Sequence, residues 1–140
     1  MILYHFTSAY HLSMIIEAGH LKVVESNISR TREHAGADVV WLTSNPEPTA
    51  QPWIAGATLD KSEIRITVDV PKREAHKWRT WAAGRGIDST WARALALPGC
   101  GSWYVVARPV PSSEWVEIVN ARTGEPAAML AQDRTSPAVP

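Results

Sequence analysis

Residues 63–70 (EIRITVDV) restrict the architecture more than any other part of the chain. Ile64, Ile66, Val68 and Val70 alternate with Glu63, Arg65, Thr67 and Asp69. That is the period-two pattern of a strand with one apolar face, and a helix would scatter the same four residues around its circumference. Such a strand must lie in a sheet that turns one side to a core. Its other side here is unusually polar, with an arginine and a threonine at its centre.

The remaining segments supply partners for that strand. Residues 2–7 (ILYHFT) read as a second strand, with Ile2, Tyr4 and Phe6 on one face and Leu3, His5 and Thr7 on the other. Thr7 or Ser8 can cap a helix carrying the stripe Leu12, Ile15 and Ile16, and Gly19 sits where a left-handed residue would end it. A polar loop over residues 25–38 carries Arg30, Arg32 and His34. The segment VVWLTS (39–44) reads as a strand stopped by Asn45-Pro46, and an irregular loop runs on towards Asp60. Residues 72–83 read as a helix ended by Gly84 and Gly86, with a shorter helix near 89–97. Two strands, 102–108 and 114–119, close the domain around a rigid Pro109-Val110-Pro111 link.

Strands that do not alternate regularly with helices predict an α+β domain with a mixed or antiparallel sheet and flanking helices. No Gly-rich phosphate loop is present, which argues against P-loop and dinucleotide folds. One domain over residues 1–120 is expected, followed by a flexible tail at 121–140, where Ala, Pro, Thr and Ser dominate.

The chain of 140 residues has 14 basic and 14 acidic side chains. That balance argues against a protein that coats nucleic acid or membrane surfaces by charge alone. The only cysteine, Cys100, excludes an intrachain disulfide and a cysteine-based zinc site. The five histidines show no HExxH or i,i+4 pairing, so no metal site is expected. No apolar run is long enough to span a bilayer and no signal-peptide pattern opens the sequence, so a cytoplasmic location is expected.

The YHFT strand, the helix with Leu12, Ile15, Ile16, Gly19 and Leu21 in order, and the VWLT strand together resemble the ADP-ribosyltransferase fold. It is similar to the RNA 2′-phosphotransferases and to the ADP-ribosyltransferase toxins that act on DNA. A group of uncharacterised actinobacterial and phage proteins with a similar start is also alike. The resemblance spans roughly residues 2–119 and implies a split sheet and NAD as cofactor. It implies that His5 hydrogen-bonds a ribose of NAD, with Thr7 beside it. Trp41, with Thr43 on the same strand, would wall the nicotinamide, and Arg30 or Arg32 would meet the phosphates. A catalytic carboxylate would come from Glu63, Glu114 or Glu117, with Glu117 the choice here; Arg65 matches the arginines that the phosphotransferases use instead.

The chemistry asks for these residue types. Cleaving the nicotinamide–ribose bond builds oxocarbenium character, which a carboxylate stabilises. A diphosphate suits the planar fork of arginine. The expected activity is transfer of ADP-ribose to a protein or nucleic-acid acceptor, or the related RNA 2′-phosphotransfer. The competing reading is a non-catalytic module that engages a protein or a nucleotide-like ligand. For single residues the plainer readings are core packing for Trp41, Trp78 and Trp81, a cross-strand partner for Arg65, and a turn cap for Glu114.

Overall fold

The computed structural model describes residues 1–24, 37–50, 60–86 and 100–127. Ile2–Thr7 form strand β1, Ala9–Ala18 helix α1, His20–Leu21 strand β2, Val40–Thr43 strand β3 and Ile64–Asp69 strand β4. His76–Lys77 form strand β5, Trp78–Ala83 helix α2, Trp103–Val106 strand β6, Val110–Pro111 strand β7 and Trp115–Asn120 strand β8. The main sheet has six strands in the order β5-β6-β3-β1-β4-β8. All its pairings are antiparallel. The α+β architecture read from the sequence is therefore the one that forms, with antiparallel rather than mixed pairing.

The register assigns every strand residue to a face. Leu3, His5 and Thr7 stand opposite Val68, Ile66 and Ile64, and Ile66 in turn stands opposite Ile118. This face carries the larger core of Leu3, Val40, Leu42, Ile64, Ile66, Val68, Val106 and Ile118, and Leu12, Ile15 and Ile16 of α1 pack onto it. On the other face, Tyr4 stands opposite Thr43 and Thr67, Phe6 opposite Arg65, and Thr67 opposite Glu117. Its β3–β6 end is covered by α2 through a second core of Val39, Trp78, Trp81, Ala82, Trp103 and Val105. The alternation in EIRITVDV thus separates two cores: isoleucine and valine meet α1, while arginine and threonine face the α2 side.

Pairing is uneven across the sheet. The β1–β4 ladder is registered from Ile2–Asp69 through to Thr7–Ile64, whereas β1 and β3 share only the pair Tyr4–Thr43. A narrow seam therefore lies at the centre of the sheet. Helix α1 starts beside it, where the Ser8 side chain accepts the His11 N–H at 3.2 Å, satisfying one of the donors that a helix start leaves open. It stops at Gly19, whose φ of 77° is left-handed and whose N–H reaches the Ile15 and Ile16 carbonyls.

Three expectations are corrected. The helix expected over 72–83 begins only at Trp78. Pro71 leads into a 3₁₀ turn at Lys72–Glu74, and His76 and Lys77 are extended because they pair with Val105 and Tyr104 of β6. Ladder hydrogen bonds to an otherwise open strand edge outweigh local helix propensity there. The Pro109–Pro111 link is not merely a spacer, because Val110 and Pro111 pair with Leu21 and His20. Residues 121–127, assigned to the tail on composition, fold back along β8: Asn120 N–H reaches Glu125, Ala127 N–H reaches Ile118, and Val119 bridges to Pro126. Arg30, Arg32, the helix near 89–97 and residues 128–140 lie outside the described residues. Among the described residues no helix is long and apolar enough to cross a membrane.

Candidate functional site

The seam between β1 and β3 positions His5. Where the two strands stop pairing, the Trp41 carbonyl is met by a side chain: His5 Nδ1–H donates to it at 3.0 Å. A carbonyl oxygen only accepts, so this contact fixes the proton on Nδ1 and leaves Nε2 as a lone-pair acceptor. Nε2 has no hydrogen-bond partner among the described residues. The ring is enclosed on most sides by protein, although part of the residue reaches solvent. Burial pushes its pKa below the ordinary 6.5, against the smaller upward effect of the Trp41 carbonyl. At neutral pH His5 is therefore an uncharged imidazole of defined tautomer. It can accept one hydrogen bond from a hydroxyl or an amide.

Thr7 lies two residues along the same face and is 7% exposed. At the head of α1, Ser8 Oγ is 2.8 Å from His11 Nδ1. This corner is polar and bounded by the first turn of α1.

The other expected site residues do not join it. Trp41 points to the opposite face, its ring 5.8 Å from both Trp78 and Trp103, in a cluster where Trp78 and Trp103 are 5.7 Å apart. Its indole is a core element; what it gives the seam is its carbonyl. Thr43, on the same face as Trp41, is 1% exposed, donates to Ser102 Oγ at 3.1 Å and accepts the Asn45 N–H. Arg65 also projects from the α2 face, with Nη1 donating to the Pro46 carbonyl at 3.0 Å and its guanidinium carbon 5.6 Å from the Tyr4 ring centre.

None of the three glutamates stands on the face of the sheet that His5 occupies with its side chain free. Glu117 is exposed on the α2 face, opposite Thr67. Glu63 Oε1 accepts the Ala9 N–H at 2.9 Å, which suits a carboxylate at the start of a helix. Glu114 forms two contacts of 2.7 and 2.9 Å with Arg108, whose Nε also meets Glu74 at 2.7 Å. Those two carboxylates raise the Arg108 pKa, and Arg108 in turn lowers that of Glu74. Among the described residues no group of three potential metal ligands occurs.

Sequence reasoning placed His5 and Thr7 on one strand face, in agreement with the register. It could not see that Trp41 would serve through its backbone. It expected a single cleft because strand parity alone does not say how β1 and β3 are offset; the Tyr4–Thr43 register decides this. The Arg108 clamp joins residues from three separate segments, and no local pattern marks it. No family model, no curated protein and no solved structure matches this chain.

Proposed function

We propose that this chain is an ADP-ribosyltransferase-like domain that binds NAD, or a ligand with the same ribose chemistry, at the α1 side of the central seam. The observation that carries the reading is His5: a neutral imidazole, its tautomer fixed by the Trp41 carbonyl, with Nε2 left unpaired as an acceptor. A ribose hydroxyl is the complementary donor, and Thr7 on the same face offers a hydroxyl beside it. A cytoplasmic setting, where NAD is present, fits this role.

The geometry favours binding over transfer. The oxocarbenium-like transition state needs a carboxylate beside the reacting ribose. Glu63 and Glu114 are held by the Ala9 N–H and by Arg108, and Glu117 faces the other way. Isothermal titration with NAD tests the binding reading. Wild-type protein should bind and His5→Asn, which keeps a donor for the Trp41 carbonyl but has no Nε2, should bind about tenfold more weakly, the equivalent of one good hydrogen bond. Absence of heat at millimolar NAD contradicts it. A labelled-NAD assay with protein, RNA and DNA acceptors separates the two readings, since a binding module transfers no label to any of them.

A further inference from the structure

The chain is neutral overall, but its charges are unevenly placed. Residues 72–85 hold five of the 14 basic side chains, Lys72, Arg73, Lys77, Arg79 and Arg85, and one acidic side chain, Glu74. All five cations are exposed. The fold gathers them along one rim of the domain. The 3₁₀ turn at Lys72–Glu74 leads into β5, the end strand of the main sheet, and α2 follows at once. Helix α2 turns Trp78, Trp81 and Ala82 into the core, which leaves Arg79 facing outward.

Little within the fold neutralises this rim. The Glu74 carboxylate is taken by Arg108, which it meets at 2.7 Å. Among the described residues Lys72, Arg73, Lys77 and Arg79 form no ion pair. Arg85 lies over the Trp81 ring, its guanidinium carbon 3.9 Å from the ring centre. A lysine on an end strand commonly guards against unwanted strand pairing. That explains Lys77, but not the cations in the turn and the helix beside it. The rim also lacks an apolar anchor: the exposed large hydrophobic side chains among the described residues all lie outside 72–85. Protein interfaces centre on such anchors, and helices that lie on membranes insert an apolar face. A nucleic-acid backbone needs neither, because charge and counterion release hold it.

We propose that the 72–74 turn, β5 and α2 together form a docking surface for a nucleic-acid strand, held through its phosphates. Strands β6 and β3 separate β5 from β1, so this surface is distinct from the His5 seam and independent of the NAD reading. Helix α2 has six residues and keeps its apolar side in the core, so it does not enter a groove and the contacts stop at the backbone. Binding is therefore indifferent to sequence. The zero net charge of the whole chain leaves little long-range attraction, so affinity rests on the local cations and is steeply salt-dependent.

The test is fluorescence anisotropy of a labelled oligothymidylate of about 20 nucleotides, titrated with the intact chain without NAD over a salt series. Binding should be saturable at low salt, with log K falling against log salt by about 0.7 for each phosphate contacted. Arg73→Glu/Lys77→Glu should weaken it roughly tenfold or more and flatten that slope by about 1.4, the share of two contacts. Lys77→Glu alone should cost a few-fold. Lys61→Glu, the same charge change on an exposed lysine before β4, should cost about twofold or less. Circular dichroism verifies that each variant is folded, and amide chemical-shift mapping on the wild type should place the oligonucleotide on residues 72–85. The proposal is overturned by absence of saturable binding at low salt, by binding indifferent to salt, or by shifts confined to other segments. It is equally overturned if Lys61→Glu costs as much as Lys77→Glu, since net charge alone would then act. Displacement by poly-glutamate at equal charge concentration would assign the rim to acidic proteins and overturn it too.

Discussion

Replacing His5 by Asn should flatten the stability of the domain towards acid. His5 has a folded-state pKa below the 6.5 of the unfolded chain, because burial disfavours the imidazolium. Between those two values the unfolded chain holds more protons than the folded one, so stability rises with pH through the window and is lost as pH falls from 6.5. One proton sets the upper limit of the slope at about 1.4 kcal/mol per pH unit. For a chain of this size that corresponds to a melting-temperature change of roughly 3–5 °C per unit within the window. Asn cannot titrate but retains an N–H for the Trp41 carbonyl. The difference between the two melting curves, recorded from about pH 8 down to about pH 5, therefore isolates the His5 ionisation from every other group. His5→Ala adds a second effect: it leaves the carbonyl unsatisfied and should cost about 1–3 kcal/mol even at the alkaline end. Parallel wild-type and His5→Asn curves would refute the reasoning, since a histidine with an ordinary pKa contributes no such slope.

Three further outcomes test the scaffold. Gly19→Ala should cost about 1–2 kcal/mol in a urea melt, because the φ of 77° strains any residue with a Cβ even though that Cβ meets nothing within 4 Å. Trp78→Ala, at a site 3% exposed and in ring contact with Trp41 and Trp103, should cost about 3–5 kcal/mol and weaken the near-ultraviolet circular dichroism of the tryptophan cluster. Glu114→Gln removes one carboxylate from a partly exposed pair and should cost about 1 kcal/mol by chemical denaturation, an effect that shrinks in high salt.

The sheet was legible because its strands carry period-two patterns strong enough to survive without tertiary context. Residues 63–70 and 2–7 alternate cleanly, and both form strands within a residue of the expected bounds. The cap at Ser8 and the stop at Gly19 were equally readable, since each acts on its own turn. Strands β2, β5 and β7 were not, because each is two residues long and exists only through its partner. The same distinction divides the site. That His5 and Thr7 share a face follows from the chain itself. Whether Trp41 and Arg65 join them depends on the single register pair Tyr4–Thr43 and on the β1–β4 ladder, which local sequence does not encode. The polar side of EIRITVDV was a visible signal, and it marks the buried, unpartnered Arg65 Nε and Thr67 Oγ1 rather than the His5 seam.

Under the proposed function, His5 presents an unprotonated Nε2 to a ribose hydroxyl. Nitrogen-15 NMR of the histidine rings, with and without NAD at neutral pH, reads it directly. The His5 ring should be protonated on Nδ1 only, with an Nε2 resonance that moves on addition of NAD while the Nδ1 resonance holds its position. A proton on Nε2 in the free protein, or an Nε2 resonance indifferent to saturating NAD, would contradict it.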